Sequence, residues 1–179
     1  MGKTVWGAAV LMAAGMALAG CGEGQGAGTA PVRQAAPESA KPDRYAYSAS
    51  VDLAGVYEPA DDYVLRNWRL KQVIIGNADA FTTWDATGRA ASAAPVKLVF
   101  EDRQDINPGT GQARTLTLIP AAFDLDDRAV VIEAVSGGLG EVRFDGARGG
   151  LSEAAALKGQ LKIGTQIFEN TELKLKTGG

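Results

Sequence analysis

From Tyr45 almost to the C-terminus, apolar and polar side chains alternate in one segment after another, and a period of two places successive side chains on opposite faces of a strand. The closing segment shows it most clearly. Leu157, Leu161, Ile163, Thr165 and Ile167 alternate with Lys158, Gln160, Lys162 and Gln166, and Leu173 and Leu175 alternate with Lys174 and Lys176. A hairpin is expected there, turning around Glu169-Asn170. Tyr47, Ala49, Val51, Leu53 and Tyr57 share one parity with Ser48, Ser50 and Asp52 on the other, which predicts a single half-buried strand. Further strands are predicted at Trp68 to Ile75, Ala80 to Ala86, Pro95 to Asp102, Ala113 to Pro120, Arg128 to Val135 and Gly140 to Gly146. Turn formers separate them: Asn107-Pro108-Gly109, Asp124 to Asp127, Ser136-Gly137-Gly138 and Gly146 to Gly150. The helical exception is Leu151 to Leu157, where Ser152 stands as an N-cap before alanines. The expected class is all-β, an antiparallel β-sandwich or β-barrel of about eight to nine strands.

Composition narrows the chemistry more than it names it. The chain has 179 residues, 46% hydrophobic and 22% charged, enough for one well-filled domain. Its net charge of −3 is the wrong sign for a nucleic-acid binder. Histidine is absent and cysteine occurs once, which removes intrachain disulfides, Cys/His zinc sites and histidine acid/base catalysis.

That single cysteine sits in a telling place. Lys3 gives the chain a basic start, and the apolar run from Val5 to Ala19 is short for a bilayer span, as in a secretory signal. Leu18-Ala19-Gly20-Cys21 resembles the lipobox of bacterial lipoproteins, a leucine and two small residues before an obligatory cysteine. The resemblance covers the export segment alone. It implies that residues 1–20 are a signal peptide, that the Cys21 sulfur takes a diacylglyceryl group, and that the mature terminus carries three acyl chains. At about 0.8 kcal/mol per buried methylene, three chains anchor far more firmly than one. Gly22 follows the cysteine where an aspartate would favour retention in the inner membrane, so the resemblance implies the periplasmic face of the outer membrane. Residues 21–44 are rich in Gly, Ala and Pro with little to bury, and read as a flexible tether reaching about 25 Å. Residues 45–179 form the single β domain.

No catalytic motif accompanies this layout. Asp105 to Gly111 begins like a calcium loop, but Pro108 interrupts it and the closing glutamate is missing, so it reads as a hairpin turn; no metal and no cofactor are expected. Glu101 and Asp102 adjoin on a strand and point to opposite faces. Carboxylates from distant strands, such as Asp85 with Glu133 or Asp145, are the remaining route to a hydrolase. The aromatics gather early, with all four tyrosines, Trp68 and Trp84 lying between Tyr45 and Trp84. In a strand, Phe81 and Trp84 would face opposite ways and leave one ring outward. Tyr57, Tyr63, Trp68, Phe81 and Trp84 are therefore the candidate binding surface. The lysines of the last hairpin read as guards of an exposed edge strand. The reading that follows is a non-catalytic accessory module, anchored to the membrane through Cys21, that presents its β domain to an envelope protein. The alternative is a β-barrel carrier of a small apolar ligand or lipid.

Overall fold

The computed structural model describes residues 44–149 and 155–176. The lipobox with Cys21, the tether up to residue 43 and the Ser152 cap lie outside the described residues; the end of the expected helical segment, Ala156 and Leu157, is strand. Within them the fold is all-β. The strands are β1 (Tyr45–Tyr47), β2 (Gly55–Pro59), β3 (Val64–Leu65), β4 (Trp68–Ile75), β5 (Val96–Ile106), β6 (Ala113–Leu118), β7 (Ala122–Leu125), β8 (Val130–Ser136), β9 (Gly140–Arg148), β10 (Ala156–Ile163) and β11 (Gln166–Leu175). One helix, α1 (Ala78–Ala86), and a single 3-10 turn (Ala91–Ala93) lie between β4 and β5.

The strands make one sheet in the order β1-β7-β8-β9-β10-β11-β2-β4-β5-β6, with β3 added to β4. Neighbours are antiparallel except β1, which runs parallel to β7. The topology explains the curvature. β6 ends one side of the sheet, yet only Ile119, Pro120 and Ala121 separate it from β7, the second strand from the other side. So short a link draws the two margins together, and the sheet curls into a half-barrel. The concave face is filled with side chains: Leu53, Leu98, Phe100, Leu125, Ile132, Phe144, Leu157, Leu161, Ile163 and Leu173 are all fully buried. Each such residue contributes about 1.5–3 kcal/mol through burial.

The alternation patterns account for most of this, and four expectations need correction. Ala80 to Ala86 is helix rather than strand. The predicted Tyr45 to Tyr57 strand is broken into β1 and β2, because the intervening polar residues are used for turns: Asp52 Oδ1 accepts from Ala54 N, and Asp127 takes the N–H groups of Ser50 and Val51. Asp124 belongs to a strand the sequence reading missed, β7; the turn begins at Asp126, whose Oδ1 accepts from Arg128 N and Ala129 N. Finally, the last hairpin turns at Gly164-Thr165, where Gly164 has φ 59° and Ile163 pairs with Gln166. Glu169-Asn170 instead forms a bulge within β11, with Asn170 at φ 56° between the pairs Leu161–Phe168 and Gly159–Thr171.

The last hairpin is also interior to the sheet, between β9 and β2, so its lysines guard no edge. Two of them pair with acids of neighbouring strands, Lys162 with Glu141 and Lys176 with Glu58, both at 2.7 Å. One close approach in this half demands glycine. Gly146 and Gly159 face each other across β9 and β10, and a Cβ on Gly159 would lie 2.2 Å from the Asp145 carbonyl oxygen.

Candidate functional site

Helix α1 forms where the local residues cap it. The Asn77 side chain accepts from Ala80 N at 3.0 Å, Asp79 sits in the first turn, and after Thr87 the chain leaves through Gly88 at φ 69°. Phe81 and Trp84, three apart, then share one helical face instead of splaying to opposite sides of a strand. Both rings are buried against β1 and β7. Phe81 stacks on Tyr47 with centroids 4.0 Å apart and planes 18° from parallel, and Trp84 meets Tyr45 edge-on at 5.0 Å. Phe123 of β7 touches Tyr45, Phe81 and Trp84. Ring pairs of this kind add about 0.5–1.5 kcal/mol each beyond their burial.

Between β1 and α1 lies a cleft of about 300 Å3, floored by these rings, with Thr82 and Asp85 on its exposed helical rim. Arg89 packs against three of the lining residues. Its backbone is left-handed, at φ 62°, and its guanidinium lies 5.0 Å from the Tyr45 ring and 5.7 Å from the Trp84 ring while Nε donates to Asp85 at 2.9 Å. The indole N–H of Trp84 donates to the Ala90 carbonyl at 2.9 Å, which fixes the loop carrying Arg89. Burial, reinforced by the negative charges of Asp52 and Asp127, pushes the pKa of the Tyr47 hydroxyl up. The cleft thus offers ring faces, hydroxyls and one carboxylate, the last held by Arg89. These groups bind by contact area and hydrogen bonds.

β1 is fixed by a partner far along the chain. Asp127 accepts from Ser50 N at 2.7 Å, Ser50 Oγ at 2.5 Å and Val51 N at 3.1 Å. The Ser50 hydroxyl, then the Val51 and Ser50 amides, hold its carboxyl below the usual carboxylate range.

The five aromatics expected to form a binding surface do not form one. Tyr57, Tyr63, Phe81 and Trp84 are buried, and only Trp68 is half-exposed. They also lie in separate places. Tyr57 donates its hydroxyl to the Leu53 carbonyl at 2.8 Å inside the core, Tyr63 accepts from Glu172 N at 3.1 Å beside Phe168, and Trp68 stacks under Arg114 at 5.1 Å. Tyr57 and Tyr63 face the core of the curled sheet, and Phe81 and Trp84 are buried by the packing of α1. The cleft keeps Phe81 and Trp84 as its floor and adds Tyr45, Tyr47 and Phe123. The signals that reveal it are Asn77 before Ala-Asp-Ala and the three-residue spacing of Phe81 and Trp84, which together mark a helix.

The carboxylates are engaged elsewhere. Glu133 and Asp145 do meet in space, but around Arg143, which donates to both; Asp85 bonds Arg89. Glu101 turns outward to Arg69 and Lys71. Asp102 accepts from Gln104 N and Asp105 N, and these bonds, with the Asn67 side chain, hold its pKa down. Asn107 Oδ1 accepts from Gly109 N and Thr110 N, closing the β5–β6 turn in the segment that begins like a calcium loop. Among the described residues no three His, Cys, Asp or Glu side chains gather as a metal set. No family model matches the chain, and no curated protein or solved structure matches it either.

Proposed function

We propose that the chain is a non-catalytic envelope lipoprotein, anchored through Cys21 at the periplasmic face of the outer membrane, whose β domain binds another envelope component in the α1–β1 cleft. The observation that carries the reading is the make-up of that cleft, in which the rings of Tyr45, Tyr47, Phe81, Trp84 and Phe123 lie beside the exposed side chains of Thr82 and Asp85. The pairing of Glu133, Asp145, Asp85 and Glu101 with cations supports a binding role over acid/base chemistry. The filled concave face favours this reading over the carrier of an apolar ligand.

Two measurements test it. Wild type is expected to fractionate with the outer membrane, whereas Cys21→Ala should not; a variant that stays on membranes refutes the anchor. A photo-crosslinking residue at Thr82, on the rim of the cleft, should trap one envelope component in cells, and the adduct should fall at least tenfold in Cys21→Ala. Specific turnover by the purified chain that disappears with Glu133→Gln would replace the binding reading with an enzymatic one.

A further inference from the structure

The second surface lies at the other margin of the sheet. β6 pairs with β5 alone, and every second residue of an antiparallel strand turns its N–H and C=O away from its partner. Its sequence Ala-Arg-Thr-Leu-Thr-Leu has high strand propensity and lacks proline, and Arg114, Thr115 and Thr117 are exposed. Natural edge strands are commonly blunted by charges, prolines or shortness, since an open row of backbone groups recruits another strand. Here the only charge is Arg114, and it is drawn to Asp102 and Asp105 at 3.4 Å.

Beside this edge, on the convex face of β4 and β5, runs a groove of about 520 Å3. Its apolar contacts are Ile74, Val99 and Ile119; its charges are Lys71 and Lys97, and no acid lines it although the protein is net negative. Lys97 forms no ion pair among the described residues. Lys71 reaches only Glu101, at 3.6 Å, and that carboxylate already holds Arg69.

We infer that the β6 edge and this lysine-lined groove dock an extended segment of a partner protein that carries carboxylates on alternate residues and adds itself to the sheet as a further strand. The backbone of β6 supplies hydrogen bonds, and period-two spacing delivers every second side chain to the convex face. There a carboxylate leaning back across Thr117 comes nearest Lys97, two strand spacings or about 10 Å inward on β5, and Lys71, one strand further on β4, adds to the positive field. The intervening side chains point to the concave side, toward half-buried Leu116, and are apolar. A second copy of this chain fits worse, because the convex side chains of its own β6 are Ala113, Thr115 and Thr117, none of them an acid. The inference concerns the folded domain and holds with or without the lipid anchor or the cleft.

The probe is an eight-residue peptide alternating valine and glutamate, with a valine and lysine peptide as its counterpart, added to the full chain in mild detergent. Hydrogen–deuterium exchange is read over residues 113–118. The acidic peptide should slow exchange there at least fivefold and the basic one should not. Lys71→Glu with Lys97→Glu, both at solvent-facing positions, should weaken the acidic peptide at least tenfold and admit the basic one. Equal protection by both peptides, protection confined to α1, or no protection at millimolar peptide overturns the inference. Concentration-dependent doubling of the mass that protects 113–118 without peptide overturns it in favour of a second copy.

Discussion

The two margins of the sheet are finished by opposite means. β1 is three residues long, runs parallel to its one strand partner, and is held by side chains: Tyr45 and Tyr47 lock into α1, and Asp127 ties down the loop that follows. β6 has twice the length, a full antiparallel partner and a row of backbone groups that no other strand uses. Ring packing reinforces a short parallel pairing at one margin, and backbone pairing is left over at the other. An edge that is covered serves as the wall of a cleft; an edge that is open serves as a template.

The strongest way to break the contrast is to remove the ring on which β1 depends. Trp84 touches Tyr45 and Phe123 and carries the Arg89 guanidinium, so Trp84→Ala should cost about 3–5 kcal/mol in chemical denaturation. The damage should also be lopsided. Amide exchange is expected to rise first in Tyr45–Tyr47 and α1, while Ala113–Leu118 changes only with global unfolding. Equal loosening of β1 and β6 would mean that the margins are not built independently.

Asp127→Asn tests the same margin more gently, since it keeps the shape and removes the charge that accepts three hydrogen bonds from Ser50 and Val51. The loss of stability should be smaller than for Trp84→Ala, with faster exchange at Ser50 and Val51. Acid should act likewise. The folded-state pKa of Asp127 is depressed, so its contribution is complete above the ordinary aspartate pKa of about 4 and is lost as pH falls through the lower folded value. Asp102, whose pKa is lowered by the amides of Gln104 and Asp105 with Asn67, stands beside the β6 margin and follows the same sign. Carboxyl-carbon NMR titration should find both aspartates titrating below the usual range, and a midpoint at or above it for either would contradict this.

Sequence alone carried the class and most strands, because a half-buried sheet writes its two faces into the alternation of residues such as Leu157, Lys158, Leu161 and Lys162. It misplaced the features that depend on what the chain meets later. Phe81, Thr82, Thr83 and Trp84 have strand-like propensity, and the Asn77 cap with tertiary burial of two rings overrides it. Asn170 signals a left-handed residue equally well in a turn or in a bulge, and only the register of β11 against β10 decides. Strand order was illegible too. The lysines of β10 and β11 read as edge guards because nothing local reveals that β2 returns to pair with β11. The cleft escaped for the same reason: Tyr45, Phe81 and Phe123 come together only through the parallel pairing of β1 with β7.

The smallest expected effect sharpens the comparison most. Lys97 sits on the convex face with no ion pair among the described residues, and its register partner on β4 is the apolar Ile74. Lys97→Glu should therefore change stability by no more than about 0.5 kcal/mol, the ordinary range for a surface substitution that removes no cap, core contact or paired charge. It reverses the sign of the groove beside β6 while leaving the fold untouched. A residue that the fold does not need, carrying charge opposite to the protein's net charge beside an open strand, is what a recognition surface requires. If Lys97→Glu instead lowered stability by more than about 1 kcal/mol in denaturation, the lysine would belong to the fold, and the open margin would lose the charge that distinguishes it from a bare edge.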